Sequence, residues 1–559
     1  MGVERMEAPW WTSAVFYEIY MPSFCDGNGD GIGDFAGIAS KLDELAKLGV
    51  NGLWLTPFYL SPKVDNGYDI ADYTAIDPDY GTMEDFDAFI REAHARDIRV
   101  IVDLVLNHTS SEHPWFRESR STRSHPKRDW YIWRDPVNGG PPNNWESFFG
   151  GPAWEFDEAT GQYYYHAFAK EQVDLNWTHP EVRAAMKGVM DFWLDRGIDG
   201  FRLDVINFLK VSGTFPDNPY DAETGEQQHV HDKDQEGILD AIAELSAHAH
   251  ARQGTFMVGE VGSEDMDVLR RYSGTGLLDV VFNFNLGSQE TFSLERLYDE
   301  LRRMEEAHAP DQLPTLFFSS HDMRRHITRF GEGNPGLEEG RAKLIAALTL
   351  TAKGVPFLYY GEEIGMRDFV AETIEEMRDV QGLTAYRLAL AEGLRPEEAL
   401  EKALAKSRDN SRTPMQWTDE TYGGFSDAAP WIGMGPRHEV LNVRTQQRVP
   451  DSIYSFYRQL IALRSRHPSL HSGDYARLDR QGNVLFYVKR AAGEVALVAL
   501  NFGMEPYALP VGSLLAGTFR FVLSNHGEPS GANESFILRS QEAAIWISEN
   551  SSVKETCHT

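Results

Sequence analysis

Eight short β-rich apolar runs recur along this chain with helical stretches between them. They are Val15–Tyr20, Gly52–Leu55, Arg99–Leu106, Gly200–Leu203, Thr255–Val258, Asp279–Asn283, Pro314–Ser319 and Pro356–Tyr360. Several are continuously apolar, as expected of parallel strands buried on both faces. The stretches between them, such as Gly37–Leu48, Thr82–Arg96 and His179–Asp195, carry helix signals, with Thr82 and Asp85 spaced as a capping box. Eight strand–helix alternations predict an α/β fold, a (β/α)8 TIM barrel, with an open doubly wound sheet as the alternative. The pattern breaks twice. From Thr109 to Thr178 the chain is rich in Pro, Gly, Asn and aromatics, as an inserted subdomain after the third strand would be. Beyond Pro468, short alternating strands separated by turns predict a C-terminal antiparallel β-sandwich, with Ala491-Ala492-Gly493 closing one hairpin. The expected division is barrel over 1–108, insertion over 109–178, barrel again over 179–468 and sandwich over 469–559.

Composition narrows the function. Lys and Arg number 53 against 85 Asp and Glu, a net charge of −32. That excess argues against nucleic acid and against an anionic membrane surface as partners. No run approaches the roughly 18 apolar residues of a membrane span, and the N-terminus shows no secretion signal. Two cysteines, Cys25 and Cys557, give no disulfide framework. A cytoplasmic protein, monomeric or a small homo-oligomer, acting on a small molecule is expected.

Four of the runs end in charged or polar groups. Asp103 and Asn107-His108 follow the third, Arg202 and Asp204 the fourth, Glu260 the fifth, and His321-Asp322 the seventh. One carboxylate at a strand end is readily a helix cap. Three on separate strands would converge on one face and repel unless that face performs chemistry. Two convergent carboxyls suit glycoside hydrolysis, one as nucleophile and the other, protonated, as general acid. Arg202, on the same side of its strand as Asp204, is placed to keep it ionised. Glu260 follows an apolar strand, where desolvation raises a carboxyl pKa.

The segments Asp103–His108 (DLVLNH), Gln172–Trp177 (QVDLNW), Gly200–Val205 (GFRLDV), Gly259-Glu260, Ser320–Asp322, Gly354–Met366 (GVPFLYYGEEIGM) and Arg408–Trp417 (RDNSRTPMQW) occur in this order. Through them the chain resembles the α-amylase family of glycoside hydrolases, and within it the exo-acting oligo-1,6-glucosidase and α-glucosidase group. The resemblance implies Asp204 as nucleophile, Glu260 as acid/base and Asp322 as the group holding the sugar hydroxyls. It implies that His108 and His321 bind the same glucose, that Arg202 orients the nucleophile, that Tyr68 is a platform beneath the ring and Phe168 a wall. It pairs Asp65 with Arg412 to grip the far end of a terminal glucose, and it implies a retaining reaction through a glucosyl–Asp204 intermediate, with the two carboxyls about 5–5.5 Å apart. Val205, after the nucleophile, resembles the residue of enzymes that accept α-1,6 bonds. Ser320 stands where the family usually has Asn, and Val173 where Pro is more frequent. The rivals are a trehalose-6-phosphate hydrolase, a transglucosylase or sucrose isomerase, and a non-catalytic transporter subunit, which the retained carboxylates and missing span disfavour.

Asp26-Gly27-Asn28-Gly29-Asp30-Gly31-Ile32-Gly33-Asp34 alternates oxygen donors with glycine, as loops around hard cations do. Gly37 stands at the twelfth position, where an EF-hand needs Glu. The resemblance implies one structural Ca²⁺ or Mg²⁺ on Asp26, Asn28, Asp30, Asp34 and the Ile32 carbonyl; a metal-free Gly/Asp turn is the alternative.

Overall fold

The computed structural model describes residues 8–331, 334–511, 515–516, 519–532, 535–549 and 552–553. Cys557 and the start of the expected strand at Thr518 lie outside the described residues.

All eight apolar runs are strands: β1 (Phe16–Ile19), β2 (Gly52–Leu55), β3 (Arg99–Leu104), β4 (Gly200–Leu203), β5 (Phe256–Glu260), β6 (Val280–Phe282), β7 (Thr315–Leu316) and β8 (Val355–Tyr359). They form one sheet in the order β6-β5-β4-β3-β2-β1-β8-β7, and every ladder in it is parallel. The order is cyclic, and β6 and β7 close it through a side chain. The Thr315 hydroxyl donates to the Val281 carbonyl at 3.1 Å and accepts from the Asn283 amide at 3.1 Å. The sheet is therefore a barrel, and the doubly wound alternative falls. Helices Phe35–Leu48, Met83–His94, Pro180–Asp195, Ile238–His250, Leu294–Ala307, Pro335–Thr351 and Ile453–Arg466 lie among the connections. Thr82 and Asp85 make the expected capping box.

Alternate residues on each strand point inward. The inner floor is apolar and aromatic: Phe16, Trp54, Ile101, Phe256, Val258, Phe282, Phe317 and Phe357 pack together with Trp11 beneath them. Phe16 stacks on Phe357 with ring centroids 4.6 Å apart. Two residues further along β1, β3 and β4, the inward positions become Glu18, Asp103 and Arg202, all buried. The change from grease to charge within one strand repeat marks the working end of the barrel.

Between β3 and Pro180–Asp195, strands His108–Ser110 and Gln172–Asp174 pair antiparallel and carry a small three-stranded sheet above them. Its core holds Trp145, Trp154 and Tyr165, so these tryptophans serve as packing.

Beyond the barrel lie β9 (Asp474–Gln481), β10 (Val484–Ala491), β11 (Glu494–Asn501), β12 (Tyr507–Leu509), β13 (Arg520–Ser524), β14 (Ser530–Ala532), β15 (Ser535–Leu538) and β16 (Glu542–Glu549). They make a five-stranded sheet, β9-β10-β11-β16-β13, and a three-stranded one, β12-β15-β14. Ala492 and Gly493, both at positive φ, form the two-residue turn joining β10 to β11. The larger sheet is buried on both faces. Val484, Phe486 and Val488 face the smaller sheet, whereas Leu485 and Tyr487 join the barrel core. Lys489 continues that second row, fully buried, and donates to the carbonyls of Thr351, Ala352 and Leu470 at 2.7–3.1 Å. Its side-chain nitrogen thereby satisfies carbonyls at the C-terminal end of Pro335–Thr351, although burial and the nearby Arg464 pull its pKa well down.

Candidate active site

Arg202 is the hub. Its Nη1 lies 2.9 Å from both oxygens of Asp103 and 2.7 Å from Asp204 Oδ1, and its Nη2 donates to Glu260 Oε2. The two carboxyls expected to react thus sit on the two terminal nitrogens of one guanidinium. One buried positive charge faces three carboxyls, so burial dominates their protonation. It pushes Asp103 up to about 6, Asp204 up to about 7 and Glu260 up to about 8. For Asp204 the pull of Arg202 opposes burial but does not overcome it, unlike the sequence-based expectation. For Glu260 burial comes first; Arg202 draws it down while the Asp204 and Asp322 charges push it back up. Glu260 therefore holds its proton more tightly than Asp204, which sets the acid apart from the nucleophile.

Asp322 behaves oppositely. Burial alone would raise it, but His321, Arg408 and Arg412 together hold it well below the usual carboxylate range. Arg412 Nη2 is 2.9 Å and Arg408 Nη1 3.2 Å from its Oδ1. Ser320 serves the loop as a shorter donor-acceptor: its Oγ accepts from the Asp322 amide at 3.2 Å.

Above these groups opens a pocket of about 590 Å³. Tyr68, His108 and Phe168 line it with Asp204, Val205, Glu260 and Asp322, as the sequence led us to expect. Tyr68 Oη is held 2.9 Å from Asp103 Oδ2 and 2.6 Å from His321 Nε2. Burial lowers His108 to about 3, so its ring is neutral. His321 lies one layer behind the wall, stacked on Tyr68 at 5.4 Å and bounding a smaller cavity beneath. Val205 adopts a left-handed conformation, φ 38° and ψ 49°, a costly state for a β-branched residue. That kink turns the chain at the end of β4 and places Val205 on the pocket wall.

One expected contact is wrong. Arg412 does not meet Asp65; Arg408 does, at 2.5 Å. The turn Asp409–Ser411 between the two arginines is 3₁₀, in which residues four apart diverge by about 120° instead of sharing a face. Arg408 faces the pocket and also binds Asp379, while Arg412 turns inward, fully buried, to donate to the His321 carbonyl at 2.7 Å. Sequence reasoning also missed Gln172, whose Nε2 is 3.1 Å from Asp65 Oδ2 and 3.1 Å from His108 Nε2. Phe149 and Gln381 complete the lining. Arg408 and Gln172 each lie within a segment that the resemblance had already marked; only their roles were unassigned.

Comparison with known proteins shows the family. Residues 18–473 match the alpha amylase catalytic domain. The chain belongs to the α-amylase family. A probable oligo-1,6-glucosidase 3 of Bacillus subtilis (strain 168) is 39% identical over 97% of this chain and 100% of its own length. The crystal structure of a Bacillus licheniformis trehalose-6-phosphate hydrolase superposes with a TM-score of 0.86 at 36% identity, covering 97% of this chain and 100% of the other. That of a trehalulose synthase, MutB, reaches 0.90 at 34% identity, again over 97% and 100%. Within this α-amylase family member, the match ends one residue before β9, so the C-terminal strands lie outside it.

The loop from Asp26 to Asp34 does not line this pocket. Asp26 accepts from the amides of Asn28, Gly29 and Gly31 and from Ser426; Asp34 accepts from Gly27 and Asn28 and caps the helix Phe35–Leu48. Asn28 and Asp30 accept from Asp30 and Ile32. Among the described residues, no three His, Cys, Asp or Glu side chains gather as a metal site.

Proposed function

We propose that the protein is a retaining, exo-acting α-glucosidase that releases terminal α-linked glucose from short oligosaccharides and accepts α-1,6 bonds. The observation that carries this reading is the arrangement of the pocket: Asp65 and Arg408 pair within its wall, while Asp204 and Glu260 stand together on Arg202. A terminal glucose fits such a site, and a chain interior does not. Asp204 attacks the anomeric carbon as Glu260 gives its proton to the departing glycosidic oxygen. This leaves glucosyl–Asp204 and an ionised Glu260. Glu260 then takes a proton from water, whose oxygen displaces Asp204 and releases glucose. Asp322, held ionised by its two arginines, grips the ring hydroxyls with His108, and Tyr68 supports the ring. His321 braces Tyr68 and Asp322 from behind.

A substrate panel tests this: isomaltose, maltose, trehalose, trehalose 6-phosphate and sucrose, with products analysed. Isomaltose should be hydrolysed best. Val205→Thr should shift the isomaltose-to-maltose ratio of kcat/KM toward maltose by roughly tenfold, the scale of one wall contact in a pocket. Turnover confined to trehalose 6-phosphate, the second reading favoured by the relative above, or isomerisation of sucrose would replace the substrate and leave the catalytic groups standing. No helix among the described residues is long and apolar enough to cross a membrane.

The same reading gives the Asp26–Asp34 loop a structural Ca²⁺ or Mg²⁺ on Asp26, Asn28, Asp30, Asp34 and the Ile32 carbonyl. The donor set is all oxygen, as a hard cation requires. The loop is tightly packed at one point: Gly31 has φ +93°, and a Cβ there would meet the Ala429 carbonyl at 2.2 Å. Bound metal would brace the turns of this loop against one another and take no part in the reaction. EDTA should lower the unfolding temperature and Ca²⁺ restore it, by mass action on the folded state. An unchanged midpoint would leave the loop standing on its backbone hydrogen bonds alone.

A further inference from the structure

Glu18 is a carboxyl in a place where the fold offers it no water. It is an inward residue of β1, 2% exposed, with the aromatic floor beneath it. Burying such a group is costly unless something specific receives it. What receives it is His321. Glu18 Oε1 lies 3.1 Å from the His321 backbone nitrogen and 2.5 Å from its Nδ1. We propose that Glu18 is a positioning residue for the glucosidase reaction, acting through His321 to keep a proton on Nε2 and so fix Asp322 and Tyr68 around the sugar.

The argument is a count of hydrogens. Tyr68 has one hydroxyl hydrogen, and Asp103 Oδ2, 2.9 Å away, accepts it. His321 Nε2 lies 2.6 Å from the same Tyr68 oxygen and 3.2 Å from Asp322 Oδ2. Both partners are then acceptors, so Nε2 must carry hydrogen. A neutral imidazole has only one N–H. Nδ1 must therefore share a proton with Glu18, whether that proton resides on the ring or on the carboxyl.

An amide at position 18 cannot reproduce this. Its oxygen must face the His321 backbone N–H, which fixes its orientation, and the same oxygen then meets Nδ1. Nδ1 takes the ring's one hydrogen, and Nε2 is left bare against the Asp322 carboxylate and the Tyr68 oxygen. Ring stacking on Tyr68 and the edge contact with Trp54, 5.7 Å between centroids, prevent the imidazole from turning away. The remaining charged groups facing His321, namely Arg202, Arg408 and Arg412, are donors and offer Nε2 no relief.

The inference rests on the proposed glucosidase reading, and the experiment separates the two. Glu18→Gln, Glu18→Leu and His321→Gln, with the double variant Glu18→Gln/His321→Gln, are assayed for kcat and KM on the preferred glucoside and for thermal unfolding. Glu18→Gln should lower kcat/KM by about 10- to 100-fold, the worth of a charge-assisted hydrogen bond, chiefly in kcat. Its unfolding should remain a single cooperative transition, so that the loss is read in activity from a folded protein. In the His321→Gln background the same change should cost little more, because the group through which it acts is already gone. Wild-type kcat/KM in Glu18→Gln, with loss only in Glu18→Leu, would make Glu18 a plain acceptor for the His321 backbone amide and overturn the inference alone. Full additivity in the double variant would do the same, and it decides the case even if Glu18→Gln is unstable. A wild-type chain that releases no glucose overturns the function and the inference together.

Discussion

Asp204→Asn should lower kcat by roughly 10⁴- to 10⁶-fold, the range seen when an enzyme loses its nucleophile or a partner in activating it. An amide nitrogen does not attack an acetal carbon, and no neighbour substitutes. Asp103 is fully buried under Arg202 and Tyr68 and does not line the pocket. Asp322 lines it, but its charge is drawn to Arg408 and Arg412. The intermediate gives a direct readout. A slowly turned-over fluoroglucoside should label the wild-type peptide containing Asp204 with one sugar mass and leave the variant unlabelled. Residual activity above about one per cent, or labelling elsewhere, would remove Asp204 from its role.

The same variant should be more stable than its parent at neutral pH. Burial raises Asp204 to about 7 in the folded state, against about 3.9 in an unfolded chain. Between those values the folded state binds more protons, so stability falls as pH rises from about 4 to about 7. Asparagine has no charge to desolvate, and removing one of three carboxyls from a single guanidinium eases their repulsion. The gain in unfolding temperature should be largest at pH 7 and above and should vanish below about pH 4.

What was legible in the chain follows from how each element is buried. Parallel barrel strands are covered on both faces, so they appear as unbroken apolar runs, and all eight were found. Carboxylates interrupting those runs at Asp204, Glu260 and Asp322 stood out for the same reason. β9 was not seen: its sequence, DYARLDRQ, belongs to an edge strand that is only half-buried, and it has no apolar run to show. Closure was not legible either, because the seam between β6 and β7 is made by the hydroxyl of Thr315. Arg412 was paired with Asp65 by resemblance alone, and nothing in the sequence showed that the 3₁₀ turn Asp409–Ser411 aims Arg408 at the pocket and Arg412 away from it. Glu18 lay inside the first strand in plain sight. Its partner is 303 residues away, and nothing local announces a pair of that kind.

Glu260→Gln should split substrates by their leaving groups. On an unactivated disaccharide, kcat/KM should fall by about 10²- to 10⁴-fold, because the departing sugar oxygen must be protonated as it leaves. On an aryl glucoside whose phenolate departs unaided, the first step should be nearly intact. Hydrolysis of glucosyl–Asp204 then becomes slow for want of a base. Azide, which needs no proton removed, should restore turnover and yield an α-glucosyl azide, the second inversion that a retaining reaction requires. The pH profile carries the same information with a sign. The general acid must be protonated, and burial holds Glu260 up to about 8, so activity on the disaccharide falls as pH rises through that value. The nucleophile must be ionised, and Asp204 sits at about 7, so activity falls as pH drops through it. The two groups share Arg202, and their titrations belong to the pair. The wild-type profile should therefore be a narrow bell centred between the two values. In Glu260→Gln the alkaline limb should disappear on the aryl glucoside while the acid limb stays, since burial and the charges of Asp103 and Asp322 are what raise Asp204. If the alkaline limb and disaccharide turnover both survive in the variant, the proton comes from another group and Glu260 is not the acid.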